Sequence, residues 1–480
     1  MIAFILIAML PFLMMCLGIF PRNARWLPWA SAIFMLAQIP LVILVCLPVF
    51  NGNVISWGGF LIDGIGASFT IITTLVAAAS MVQAALIMPA ERIEEHKISD
   101  KRFCMYYFLS GSFILAMYAV VLAQHIGYLW IAVEATTLMS APLINYHRSR
   151  NSLEATWKYL ILCSVGIAFA LFGTVLIFAA QHTFANGTMI FSELIARAKD
   201  IDPKLLRLGF VFCLLGYGTK AGIFPLHNWL PDAHSEAPSS ASAMLSGSLL
   251  NCALVAIWRL SQVVDASGQG ELVRQLLVPA GAITVIAASL MLVRQHDLKR
   301  MLAYSSVEHV GLLTLAIGIG SGPIFILHAF NHSIVKVALF LMAGGILHVY
   351  GTKVLSKLGG ILKASPLWGI VLFAAGFAIA GSPPFGTFIS EWLLLRDAFA
   401  SGEIAAAIVV IIGLTITFIA ITTHIGRVVF GSERSLVKNV PAKTWAFTPA
   451  LLLVISLAAG LAIAPSVMKM LNMLAHLGVQ

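Results

Sequence analysis

Fourteen apolar stretches of roughly 20 residues recur along this chain, and that is the length an α-helix needs to cross a bilayer. They run over 2–20, 27–50, 59–88, 103–123, 128–146, 154–181, 205–228, 238–262, 273–293, 299–320, 322–348, 366–395, 402–426 and 446–473. A soluble chain of 480 residues would hold about three domains. Its 60% hydrophobic and 10% charged residues exclude that reading, because a soluble domain is about a quarter charged. The formal charge of +9 would suit nucleic acid, yet a mean hydropathy of +0.96 leaves no polar face to meet phosphates. The expectation is an all-α polytopic membrane protein in contact with lipid and not with nucleic acid. The first apolar run lacks a basic leader and a small-residue cleavage site, so it reads as a retained span.

Lys and Arg divide unevenly between the two sets of loops. The odd-numbered loops hold eighteen, from Arg22 and Arg25 through Arg92, Lys97, Lys101 and Arg300 to Arg434, Lys438 and Lys443. The even loops and C-terminal end hold eight, Arg197, Lys199, Lys204, Arg207, Arg259, Arg274, Arg396 and Lys469. The positive-inside rule then predicts cytoplasmic odd loops, with both termini on the far side of the cell inner membrane.

Two spans are interrupted. Lys220-Ala-Gly-Ile-Phe-Pro-Leu-His-Asn-Trp-Leu-Pro-Asp puts Gly222, Pro225 and Pro231 into the seventh, and Gly381-Ser-Pro-Pro-Phe-Gly386 does the same to the twelfth. Non-helical backbone at membrane depth survives only inside protein or beside a wet cavity, and paired broken helices point to a transport path. A proline kink in a packing helix is the alternative for either break alone. Glu134 and Glu308 lie 174 residues apart and Lys220 and Glu391 lie 171 apart, so spans four to eight resemble spans nine to thirteen. A shift of five spans inverts the second copy in the membrane. This divides the chain into a three-helix segment (1–102), two inverted five-helix repeats (103–262 and 263–430), each with a broken helix, and a C-terminal helix (431–480).

An ionisable side chain near mid-bilayer costs at least roughly 2.5–3.5 kcal/mol, so it faces a partner or water and usually has a task. The chain carries a series of them: Glu134, Lys158, Lys220, Glu308, His309, His328, His332, Lys336 and Glu391. His328, His332 and Lys336 stand at i, i+4 and i+8, one stripe along about two helical turns. Imidazole accepts on one nitrogen and donates on the other, so such a stripe with intervening water can relay protons. Histidines satisfied by carbonyls of neighbouring helices are the alternative. Burial disfavours a charged lysine and a nearby carboxylate favours it, so Lys220 with a movable partner is a proton-loading switch. Further polar candidates, His227 and His234, lie just past the first break. Cys16, Cys46, Cys104, Cys163, Cys213 and Cys252 are scattered singly, with no ligand spacing, so no metal site and no cofactor is expected in this chain.

The runs Trp130-Ile-Ala-Val-Glu-Ala-Thr-Thr-Leu138, Thr219-Lys-Ala-Gly-Ile-Phe-Pro-Leu-His-Asn-Trp-Leu-Pro-Asp-Ala-His-Ser-Glu-Ala-Pro238 and Asp297-Leu-Lys-Arg-Met-Leu-Ala-Tyr-Ser-Ser306 resemble the proton-conducting antiporter-like subunits. That family includes the membrane-arm subunits of complex I, multisubunit cation/proton antiporters and membrane-bound hydrogenases. Ser152-Leu-Glu-Ala-Thr-Trp-Lys-Tyr159 and Tyr304-Ser-Ser-Val-Glu-His-Val310 are most similar to the component F type of hydrogenase 4, of the formate hydrogenlyase kind. The chain ends soon after its fourteenth stretch, without the long lateral helix of the distal complex I subunit, which speaks against that identity.

The resemblance implies that Glu134 and Lys220 form a gating ion pair. It also implies that His328, His332 and Lys336 are the central relay and Glu391 the terminal group. Gly247-Ser-Leu-Leu-Asn251 departs from the family pattern, with asparagine where complex I subunits usually carry lysine. Asn251 can hold a water but cannot carry a proton.

The implied partners are other antiporter-like and small membrane subunits, with soluble nickel–iron hydrogenase and iron–sulfur subunits reached through the membrane arm. A sodium/proton antiporter subunit, using the oxygens of Glu134, Glu308 and Glu391, is one rival reading. A non-conducting membrane anchor is the other.

Overall fold

The computed structural model describes residues 1–21, 24–95, 98–182, 186–432, 442–461 and 465–476. Arg22, Lys97, Arg434 and Lys438, counted above among the odd-loop cations, lie outside the described residues. The helices α1 (Ile2–Gly18) and α2 (Leu27–Phe50) precede a hairpin of β1 (Ile55–Trp57) and β2 (Phe60–Ile62). Then come α3 (Gly64–Glu95), α4 (Asp100–Leu122), α5 (Ile126–Ile144), α6 (Arg150–Ala179), the short α7 (Phe191–Ala196), α8 (Pro203–Ala221), α9 (Leu230–Glu236) and α10 (Ser239–Met244). A π-turn over Leu245–Leu249 joins α10 to α11 (Leu250–Ala266). The remainder is α12 (Gly270–Val293), α13 (Leu298–Gly318), α14 (Gly322–Tyr350), α15 (Ile361–Ala364), α16 (Pro366–Ile379), α17 (Gly386–Ala400), α18 (Ile404–Phe430), α19 (Phe447–Leu461) and α20 (Pro465–His476).

Among the described residues eleven helices are long and apolar enough to cross a membrane, so the chain is a multi-pass membrane protein. Three of the fourteen expected stretches fall outside that set. The first is the 17-residue α1, the seventh is α8 followed by α9, and the twelfth is divided into α16 and α17. The third stretch also starts later than expected. Gly58-Gly59 supplies a two-residue turn with φ +58° at Gly58, and Ile55–Trp57 folds back on Phe60–Ile62 before α3 begins.

Helix starts follow local capping chemistry. Ser99, Ser149, Asp202 and Asp297 each accept a backbone N–H of the first turn that would otherwise have no partner. The bundle packs closely where glycines meet. A Cβ on Gly173 of α6 would stand 2.5 Å from the carbonyl oxygen of Gly209 on α8, so only hydrogen lets these two backbones approach. The best-buried elements are α11, α13 and α14, and the last two carry Glu308, His309, His328, His332 and Lys336.

Arg259, which the sequence places with the even loops, is instead inside the bundle. It forms a bidentate pair with Asp63, Nη1 to Oδ2 at 2.9 Å and Nη2 to Oδ1 at 3.0 Å, and Nη2 also donates to the carbonyl of Val121 at 3.2 Å. The side chains are 4% and 5% exposed, so neither charge has water as a substitute. Removing one partner of such a pair costs about 3–5 kcal/mol. Asp63→Ala is therefore expected to lower stability by that amount, while Asp63→Ala with Arg259→Met recovers most of it. Thermal unfolding in detergent measures both.

Candidate functional site

The first break is made by Gly222, whose φ of +84° ends α8. The N–H groups of Gly222 and Ile223 both return to the carbonyl of Gly218 at 2.9 Å, and Phe224–Pro225 is cis. Trp229 spans the gap by donating its indole N–H to the carbonyl of Thr219 at 2.8 Å. Lys220 thus occupies the last turn of α8, where a cation suits the carbonyl end of a helix. It is fully buried. Its ammonium donates to the hydroxyl oxygens of Thr137 at 2.8 Å and Tyr159 at 2.6 Å, and the Tyr159 hydroxyl meets Ser140 Oγ at 2.6 Å.

Glu134, one turn before Thr137 on α5, accepts instead from Ser164 of α6 at 3.0 Å, and its Oε2 is buried without a protein partner. The expected Lys220–Glu134 ion pair is therefore not made. Two hydroxyls satisfy the ammonium, and the carboxylate is turned toward the next helix. Thr137, Ser140, Tyr159 and Ser164 were missed by sequence reasoning, although Thr137 and Tyr159 lie in the very runs that suggested the family.

The second break repeats the device. Gly381 adopts φ +69°, Pro383–Pro384 is cis and helix resumes at Gly386, so each break has a left-handed glycine with a proline three residues on. Lys220 precedes its glycine by two residues, whereas Glu391 follows its own by ten, so the two occupy opposite sides of their breaks. Glu391 is nevertheless at the break, because its side chain folds back. A Cβ on Gly381 would lie 2.0 Å from Glu391 Oε2.

A broken helix leaves carbonyls without intrahelical partners. His309 of α13 takes one of them, Ile379 O at 3.2 Å through Nε2. Since that carbonyl can only accept, Nε2 carries the proton of a neutral His309, and Nδ1 is left to accept from His328 Nε2 at 3.0 Å. His328 Nδ1 in turn meets Ser390 Oγ of α17 at 2.9 Å. The ring of His332 stands 5.0 Å from that of His309, and both its nitrogens are buried without a partner. Lys336 donates to the carbonyl of Leu302 at 2.9 Å. The stripe on α14 is thus part of a three-histidine cluster in which His309, an accessory candidate by sequence, bridges α13, α14 and α16. No group of three metal-binding side chains is placed to hold an ion among the described residues.

Glu308 is fully buried on α13 near Thr417 of α18, and neither of its oxygens makes a close hydrogen bond. Asn251 sits two residues past the π-turn, which offers the carbonyl of Gly247 to Ser333 of α14. Asn251 Nδ2 donates to that carbonyl at 3.1 Å and to Ser333 Oγ at 2.9 Å, so the asparagine touches α14 between His332 and Lys336. His227 lies in the non-helical segment between the rings of Phe224 and Tyr304. His234 is fully buried, with Nδ1 2.8 Å from the carbonyl of Leu230 and Nε2 unpartnered.

Lys158 departs from the expectation of a buried charge. It is 46% exposed, pairs with Glu154 at 2.7 Å and Asp232 at 3.0 Å, and Asp232 also binds Arg300 at 2.9 Å. It lies only two turns inside α6, so its flexible stem carries the ammonium to the surface.

Residues 123–417 match the family described as NADH:quinone oxidoreductase/Mrp antiporter, TM, a range that contains every candidate site residue. A hydrogenase-4 component F homolog from Methylacidiphilum infernorum is 37% identical over 381 residues, covering 78% of this chain and 80% of its own. A chain of the archaeal membrane-bound sulfane sulfur reductase superposes with a TM-score of 0.88 at 25% identity, over 100% of this chain and 98% of that one. A chain of the Mrp complex from Dietzia sp. DQ12-45-1b shares the fold, with a TM-score of 0.85 at 20% identity over 99% and 98% of the two chains. With more than half of its length inside the family match, and most of it aligned to that homolog, this chain belongs to the NADH:quinone oxidoreductase/Mrp antiporter family of membrane subunits.

Proposed function

We propose that the chain translocates protons as an antiporter-like subunit of a membrane-bound hydrogenase of the formate hydrogenlyase type, or of a related redox complex. The supporting observation is the set of buried ionisable groups, Lys220 beside the first break and, on the far side of Asn251, His309, His328, His332, Lys336 and Glu308, with Glu391 beside the second break. Burying so many such groups is costly unless they carry charge in turn. In this reading Lys220 alternates between the hydroxyls of Thr137 and Tyr159 and the carboxylate of Glu134, which loads and releases its proton. No cofactor is assigned to this chain. The redox centres sit in soluble nickel–iron and iron–sulfur subunits, reached through neighbouring antiporter-like and small membrane subunits. The shared glycine and proline device supports fourteen spans built on two inverted five-helix repeats.

Proton uptake by the purified complex during turnover, with and without sodium, tests this function. Uptake independent of sodium is expected. Uptake that requires sodium would favour the antiporter reading, for which the unpartnered oxygens of Glu134, Glu308 and Glu391 are the argument. Turnover without uptake would favour an anchor, for which Asn251 is the argument.

The excess of odd-loop cations supports an orientation in the inner membrane with both termini on the non-cytoplasmic side. Moving Arg259 from the even loops into the bundle strengthens that bias. A Lys101→Cys variant in the first turn of α4 is expected to react with an impermeant thiol reagent only from the cytoplasm. Labelling from outside intact cells reverses the orientation.

A further inference from the structure

At the odd-loop end of the bundle the last turns of α3, α9 and α14 meet the first turn of α13 around a cavity of about 390 Å³. Its wall is mixed, with Glu91, Glu236, His147, His348 and Lys353 beside apolar residues such as Pro238 and Leu347, and with the buried Lys299 also in the lining. Lys353 is held by Glu236 at 2.7 Å and Asp297 at 3.4 Å, so the rim charges are largely balanced. Lys299 differs from them. It is 1% exposed, and its ammonium donates to a single backbone carbonyl, Ala237 O, at 2.5 Å. The charges facing it are Lys353, Asp297, Glu236 and Glu91. A cation in the first turn of a helix opposes the helix dipole, so α13 gains nothing locally from a lysine there.

Behind Lys299 lies His234, two residues before Glu236 on α9. Its Nδ1 is occupied by Leu230 O, while Nε2 is buried and unpartnered. Its ring stands 5.8 Å from that of Phe340, one turn past Lys336 on α14, and the carbonyl that holds Lys299 belongs to Ala237, three residues further along the same segment. His234 therefore lies beside both the segment that holds Lys299 and the Lys336 end of the α14 stripe.

We propose that this cavity is the proton intake of the central relay, and that Lys299 and then His234 pass the proton inward to His332 and Lys336. The inference rests on the proton-translocating reading and adds the place of entry. Lys299 takes a proton from water in the cavity and releases it toward His234 Nε2. That ring passes on one proton for each that it receives, so no net charge accumulates.

The test is made on the assembled complex in inverted vesicles, reading protons moved per electron. Lys299→Arg keeps the positive charge and the donor to Ala237 O, but a guanidinium does not release its proton. His234→Asn keeps a polar side chain that cannot relay. A positioned proton-transfer group is worth roughly 10²–10⁴ in rate. Lys299→Arg, Lys299→Met and His234→Asn are each expected to lower the ratio at least roughly tenfold. A purely structural Lys299 would be rescued by arginine.

As a second route, Leu347→Cys in the cavity wall should permit normal pumping until a charged thiol reagent added from the cytoplasmic face blocks it. If Lys299→Arg, His234→Asn and reagent-treated Leu347→Cys all keep the wild-type ratio while Lys220→Ala loses it, the intake is elsewhere and the function stands. If Lys220→Ala keeps it too, the function itself fails, and the intake with it.

Discussion

Lys220→Ala is expected to abolish proton movement coupled to the redox reaction while the chain still assembles. The expectation follows from the position of the ammonium, fully buried at the end of α8 with Thr137 and Tyr159 as its hydrogen-bond partners. Loss of a positioned proton-transfer group lowers the rate roughly 10²–10⁴-fold, and alanine leaves two hydroxyls that take up no additional proton at neutral pH. Glu134→Gln should have a comparable effect for the opposite reason. The amide can still bind Ser164, but it cannot stabilise the ammonium when Lys220 swings toward it. Tyr159→Phe removes one of two neutral acceptors and should cost much less, roughly 0.5–1.5 kcal/mol in the stability of that arrangement. Wild-type protons per electron in assembled Lys220→Ala or Glu134→Gln complexes would remove both residues from the path.

His332→Ala carries the second large effect. It opens about 12 Å along α14 between His328 and Lys336, two turns, which one water cannot bridge. The structure adds a second ring beside the gap, since His309 lies 5.0 Å from the ring of His332 and its Nδ1 is 3.0 Å from His328. The expected order is a fall of at least roughly tenfold for His332→Ala and complete loss when His309→Ala is added.

Asn251→Lys tests the same path from the other end. Asn251 already touches Ser333 on α14, so a lysine there would supply an ionisable link between Lys220 and the cluster, and translocation should be preserved or raised. A new buried charge also costs stability. A pure anchor would show neither response, and full translocation by assembled His332→Ala would leave the histidines as packing residues.

The sequence alone determined the solvent, the interruptions and the inventory of charges. Apolar runs of spanning length are a one-dimensional property. Gly222 with Pro225, and Gly381 with Pro384, break helices through their own backbone chemistry whatever surrounds them. The family motifs around Glu134, Lys220 and Asp297 were equally local.

What only the tertiary structure decided is which group each charge meets. Lys220 turned to Thr137 and Tyr159 rather than Glu134, His309 joined His328, Arg259 found Asp63, and Lys158 reached the surface. Helices that are apolar nearly all round carry little amphipathic signal, so their rotation about their own axes cannot be read from periodicity. That rotation is set by close backbone approaches such as Gly173 with Gly209, between residues far apart in the chain. Lys299 shows the same limit. Its number places it at a loop edge, and only the packing of α3, α9, α13 and α14 turns it inward.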